Sequence, residues 1–188
     1  MIYQQKDFNY LLGLKGLSDI LLVNHFTLYG GYVKNINLVS ELLKTMRPNS
    51  PEYNELKRRF GWEWNGMKMH ELYFENLSKE KQIINRKSKL FKEIKLQFGS
   101  YEKWLEDFKM TGLLRGIGWV ALVKDCSTGF LINLWIGEHD EGHLCSQNIL
   151  LVMDVWEHAY ITDYQIKKVD YINTFIENIN WGEVEKRF

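Results

Sequence analysis

Both prolines of this 188-residue chain, Pro48 and Pro51, fall within the short segment Arg47–Glu52, and no other proline interrupts the sequence. A proline inside a helix removes a hydrogen bond and clashes with the preceding turn, so this segment must be a hinge. Ser50 as N-cap and Pro51 at the first helical position would start a new helix directly after it. Upstream, Leu21, Leu22, His25, Leu28, Tyr29, Tyr32, Val33, Ile36, Val39, Leu42 and Leu43 recur at helical spacing behind a Ser18 cap. The spacing predicts one long helix over 18–46. Downstream, 51 to about 78 reads as a second helix despite Gly61 and Gly66, so residues 1–80 are expected to form a helical hairpin.

Beyond the hairpin, Lys79–Lys95 carries seven basic and two acidic residues with Ile83, Ile84, Leu90, Phe91 and Ile94 interleaved, which reads as the charged outer face of a helix. Ser100 caps a further helix to about Gly112. The period then changes to that of strands over 118–124, 130–137 and 149–155, with a turn at Asp125–Gly129. A last amphipathic helix carrying Ile166, Val169, Ile172, Phe175, Ile176 and Ile179 is expected to close the chain. The predicted class is α+β: an N-terminal helical hairpin domain over 1–80, then a C-terminal α/β domain over 81–188 with a three-stranded antiparallel sheet.

Lys+Arg and Asp+Glu both number 24, so no global basic field exists to hold nucleic acid or an anionic membrane. No apolar run approaches the roughly 18 residues that a membrane span needs. Met1–Tyr10 also lacks an apolar stretch behind basic residues, which leads us to expect a soluble, cytoplasmic chain. Cys126 and Cys145 match no metal or redox spacing and are expected to be free thiols in a reducing compartment.

Chemistry concentrates at the histidines. Asp154 and His158 stand four residues apart, a spacing that presents a carboxylate and an imidazole to one metal. His25 and His70 lie one on each predicted helix of the hairpin, each on an apolar side, where a lone histidine is ordinarily a hydrogen-bonded core residue. Taken with Asp154 and His158 they complete a set of three imidazoles and one carboxylate. That set suits redox-capable iron or manganese better than a thiolate-preferring metal.

The run Asp154-Val155-Trp156-Glu157-His158-Ala159-Tyr160 matches the signature of the iron/manganese superoxide dismutases. The resemblance extends over nearly the whole chain, through His25 with Tyr32-Val33, His70 with Tyr73-Phe74, Phe98-Gly99-Ser100-Tyr101, Gly118-Trp119 and Asn180-Trp181. It implies dismutation of the anion superoxide to oxygen and hydrogen peroxide by one Fe or Mn ion per subunit. It also implies His25, His70, Asp154 and His158 as ligands with a solvent molecule as the fifth, Tyr32 as gateway residue, and Trp119 and Trp156 as aromatic lining. A non-catalytic scaffold or interaction subunit with the same fold would show itself by lost ligands, whereas all four are present.

Three further expectations follow from the resemblance. The family's hydrogen-bond donor to the metal-bound solvent comes from one of two positions, which here are Gly66 and His139. Glycine has no side chain, so the role falls to His139, whereas His143 is left as a surface residue. Glu157 is expected to bridge to His158 of the other subunit in a homodimer. The gateway tyrosine usually follows the first ligand by eight residues with a relay histidine between them, but here Tyr32 follows His25 by seven. Seven steps fall about 20° short of two full turns, so a regular α-helix without a π-bulge is predicted there. The relay histidine is replaced by Leu28 or Tyr29 according to the count, and its usual tyrosine partner is Ile161. Tyr29 is thus a candidate substitute in the relay.

Overall fold

The computed structural model describes residues 2–188. The hinge residues act as expected. Helix α1 (Asp19–Thr45) begins at Ser18, whose side chain accepts from Leu21 N, and α2 (Pro51–Glu75) begins at Ser50, whose side chain accepts from Tyr53 N. Each hydroxyl satisfies one of the amides that a helix start leaves unpaired. Helix α1 is α-helical throughout, with no π turn between His25 and Tyr32. The two helices pack along one another, burying Leu21, Leu22, His25, Tyr29, Val33 and Ile36 of α1 against Met67, His70, Tyr73 and Phe74 of α2.

The basic stretch is helical only in its second half. Ser88 caps α3 (Lys89–Phe98), which buries Leu90 and Ile94, whereas the chain before it is irregular and leaves Ile83 exposed. The residues before Ser88 thus run outside any helix, because the periodicity that suggested one begins only behind the cap. Helix α4 (Tyr101–Gly112) starts at Ser100. The sheet has strands β1 (Gly118–Asp125), β2 (Leu131–Gly137) and β3 (Gln147–Asp154) in the order β2-β1-β3, antiparallel throughout. As the central strand, β1 is covered on both faces, and Trp119, Val120, Ala121, Leu122 and Val123 are fully buried. Register places Trp119 opposite Asp154, which sets an aromatic ring and a carboxylate side by side at one end of the sheet.

The single closing helix is corrected to three pieces: α5 (Ile161–Tyr164), α6 (Lys168–Glu177) and α7 (Trp181–Arg187). Gln165 stops α5 with φ 52°, a left-handed conformation that a helix cannot propagate through. Ile166 and Val169 are exposed as a result, whereas Ile179 is buried and bridges to Leu77 in an isolated antiparallel pair. No helix among the described residues is long and apolar enough to cross a membrane.

Candidate metal centre

Four elements deliver one donor each to a common point. His25 comes from α1, His70 from α2, Asp154 from the last position of β3, and His158 from the 3-10 turn that follows. Their donor atoms lie within 4.8 Å of one another. His25 Nε2 and His158 Nε2 stand 3.2 and 3.1 Å from Asp154 Oδ2, and His70 Nε2 stands 3.7 Å from it. With metal bonds of about 2.1 Å, ligands at right angles are about 3.0 Å apart and ligands at 120° about 3.6 Å, so these separations are edges of a first-row coordination shell.

The second partners leave the inward atoms free. His70 Nδ1–H donates to Gly66 O at 2.6 Å, which leaves the Nε2 lone pair pointing inward, and this buried nitrogen has no protein partner. Asp154 Oδ1 accepts from Trp156 N at 2.8 Å, so Oδ2 alone faces the histidines. Such outer hydrogen bonds fix tautomer and orientation before any metal arrives. Burial pushes the His25 and His70 imidazoles below their ordinary pKa, His70 strongly. For Asp154 burial works in the opposite direction, but the charge of His158 and hydrogen bonds from His158 and His25 outweigh it and hold the carboxyl well below the usual range. Neutral imidazoles and an ionised carboxylate are the forms that ligate. The residues present therefore fit one iron or manganese ion: three nitrogens, one oxygen, no thiolate and an otherwise orphaned buried donor.

Beside this cluster, His139 is completely buried among aromatic rings. The Tyr32, Trp62 and Trp156 rings lie 4.8, 4.9 and 4.9 Å from it, centroid to centroid. Trp119 Nε1–H donates to His139 Nδ1 at 3.1 Å, and His139 Nε2 lies 2.6 Å from Tyr32 Oη. Desolvation lowers the His139 pKa to about 4, and burial raises that of Tyr32 to about 12. Gly66 matters through its missing side chain. A Cβ there would stand 2.5 Å from Tyr32 Cδ1, so the tyrosine ring occupies the space that any larger residue would need.

Two residues, Tyr29 and His143, land otherwise than expected. Tyr29 points into the core, where its hydroxyl accepts from Lys6 N and donates to Glu71 Oε1 at 3.1 Å, so it is removed from the relay. His143 is half-buried and structural: Gln147 Nε2 donates to its Nδ1, and its Nε2–H donates to His139 O at 3.0 Å, stapling the loop that carries His139. Glu157 is exposed, Leu28 is half-buried, and Ile161 is exposed at the start of α5. Sequence reasoning missed Trp62 entirely. Its only signal was helical position, eight residues before His70.

A helical hairpin joined to a three-stranded α/β unit, with three histidines and one aspartate meeting between them, defines a mononuclear metalloprotein. Residues 85–187 match the family description "Iron/manganese superoxide dismutases, C-terminal domain". The chain is 34% identical to the iron superoxide dismutase of Cupriavidus metallidurans, over 93% of this chain and 90% of that protein. It is 31% identical to a manganese superoxide dismutase of Haloferax volcanii, over 91% and 86%, and 31% identical to the iron enzyme of Aquifex aeolicus, over 98% and 90%. The chain belongs to the iron/manganese superoxide dismutase family.

Proposed function

We propose that this chain is a superoxide dismutase in which His25, His70, Asp154 and His158 hold one iron or manganese ion. Two superoxide anions and two protons become oxygen and hydrogen peroxide. The carrying observation is the convergence of the four donors with His70 Nε2 buried and otherwise unpartnered. An iron or manganese ion held there would supply the electron exchange by alternating between trivalent and divalent states. The first two ligands come from 1–80 and the last two from 81–188, which supports reading these as two domains that clasp the ion between them.

The chain's own residues handle binding and protons. With Nδ1 occupied by Trp119, His139 keeps its proton on Nε2 and donates it toward Tyr32 Oη. The Tyr32 hydroxyl proton is thereby left for the departing product, and its raised pKa keeps it in place at neutral pH. In this reading His139 and Tyr32 work as a pair beside the metal: the one N–H of His139 goes to Tyr32 Oη, so the donation expected of His139 itself would reach a bound solvent or product through the Tyr32 hydroxyl. A non-catalytic scaffold would be free to lose these groups, and all are retained.

Metal analysis of the purified protein, with the decay of a superoxide pulse followed spectrophotometrically, tests the reading. The metal-loaded protein should accelerate decay, and His70→Ala should lose metal and activity together. Full metal content in that variant would remove His70 from the ligand set.

A homodimer bridged by Glu157 and His158 belongs to the same proposal. Its support is the exposure of Glu157 beside a ligand, with Ile161 exposed nearby. Glu157→Ala should weaken both dimerisation and metal retention, read by sedimentation velocity and metal analysis. An antioxidant role in the cytoplasm fits two exposed free cysteines, and cell fractionation checks the location.

A further inference from the structure

One face of α2 runs outward from the metal centre and carries residues that the centre does not use. Arg59, Glu63, Gly66 and His70 are separated by steps of four, three and four, which together turn about 20° past three full turns and place all four on one face of the helix. His70 ends this stripe at the metal centre and Tyr32 covers Gly66. Glu63 comes next, with 2% of its surface exposed and Oε2 buried without a protein partner. Its Oε1 accepts from Arg59 Nε at 2.7 Å. The Arg59 side chain itself is 48% exposed.

The guanidinium is also held from a second side. Its carbon lies 4.9 Å over the Trp62 ring, and that ring lies 4.9 Å from the His139 ring. Two such steps lead from Arg59 to the imidazole whose Nε2 touches Tyr32 Oη. The cation therefore stands within about one Debye length, roughly 8–10 Å at physiological salt, of the buried pair. Among the described residues, Glu63 is the only hydrogen-bond acceptor for Arg59, so the remaining N–H donors of this half-exposed fork have no protein partner. Stacking and the carboxylate fix the group in one orientation, which an exposed lysine would not achieve.

We propose that Arg59 is an anion-capture residue outside the metal centre, docked on Trp62 by the positioning residue Glu63, and that it draws the anionic substrate toward the Tyr32–His139 pair. The substrate part rests on the superoxide dismutase reading above. On a chain of zero net charge, attraction has to be local, and a fixed cation beside a partly buried aromatic wall supplies it.

The test compares Arg59→Gln, Arg59→Lys, Glu63→Gln and the double variant Arg59→Gln/Glu63→Gln in two measurements. In the metal-loaded protein, kcat/KM for superoxide is followed from low to physiological ionic strength. Arg59→Gln should lower it about three- to tenfold at low salt and flatten the salt dependence, acting on kcat/KM more than on kcat. Arg59→Lys should lie between. The double variant leaves no unpaired buried charge, so it folds even if Arg59→Gln alone does not, and it should stay slower than Glu63→Gln. In the metal-free protein, quenching of Trp62 fluorescence by iodide, isolated by subtracting Trp62→Phe, should fall in Arg59→Gln and in the double variant while quenching by neutral acrylamide is unchanged. Iodide quenching that does not depend on Arg59, or a double variant as fast and as salt-sensitive as wild type, would overturn the proposal. Iodide capture by Arg59 in a protein that does not accelerate superoxide decay would leave the capture standing and refute the superoxide reading.

Discussion

Trp119 Nε1–H donates to His139 Nδ1 at 3.1 Å, and this one bond decides which nitrogen of the imidazole carries the proton facing Tyr32. An indole can only donate, so Nδ1 must accept and Nε2 must be protonated. A carboxamide in the same place would need no such instruction, whereas an imidazole has two tautomers and only one that donates toward Tyr32. Trp119→Phe removes the N–H and with it the instruction, and also trims a fully buried indole to a smaller ring. We expect the nitrogen-15 shifts of His139 to report a mixture of tautomers in that variant, with a loss of about 2–4 kcal/mol in stability from the missing bond and the cavity together, and a lower turnover at full metal content. An unchanged single tautomer would show that something other than Trp119 sets it.

The same burial makes His139 a source of acid sensitivity. Its folded pKa of about 4 lies below the ordinary 6.5, so the unfolded chain binds more protons between these values and stability falls as pH drops through that window. The stability difference between the metal-free wild type and His139→Gln should change by up to about 3 kcal/mol between pH 6.5 and pH 4, in favour of the variant at low pH, and should level off below. Urea titrations at several pH values measure it. A constant difference across the window would mean that His139 is hydrated in the folded state.

Gly66 sets a steric condition on the gateway. Glycine to alanine inside a helix ordinarily gains up to about 1 kcal/mol, but here the new methyl group meets the Tyr32 ring. Overpacking of this kind costs about 1–3 kcal/mol, so Gly66→Ala should be neutral to destabilising. The ring can yield only by shifting, which lengthens the 2.6 Å contact with His139 Nε2. Turnover should fall while metal content holds, because His70 Nδ1 donates to the carbonyl of Gly66 and not to a side chain. A more stable and fully active Gly66→Ala would refute the steric role.

How far this could be read in the sequence depended on the range over which each signal acts. The hinge and both long helices were legible because Pro51 and the caps Ser18 and Ser50 act within one turn of themselves. The four donors were legible because the run from Asp154 to Tyr160 is specific and each donor stands on an element of clear period. The closing helix was misjudged because hydrophobic spacing continues across Gln165, whose φ of 52° cannot be seen in side-chain pattern. The stapling role of His143 was missed because its partners are a backbone carbonyl and an amide in an irregular loop. Trp62 was missed because its contact with His139 joins residues 77 positions apart and no local rule reports it.

Tyr29 and Tyr32 make the sharpest test, since both lie on α1 beside His70 and only one faces the chemistry. Their rings sit 6.4 and 5.2 Å from that of His70, yet their hydroxyls go opposite ways. Tyr29 Oη is spent on Glu71 and on the amide of Lys6, whereas Tyr32 Oη meets His139. Tyr29→Phe strips a partner from a buried carboxylate and from a backbone amide, which should cost about 1–3 kcal/mol of stability and leave the rate of superoxide decay per metal unchanged. Tyr32→Phe also leaves the buried His139 Nε2–H without its partner and should cost a similar amount of stability, but it alone should lower the proton-dependent half of the cycle, about tenfold or more at full metal content. A Tyr29→Phe variant that slows turnover as much as Tyr32→Phe would return Tyr29 to the proton path.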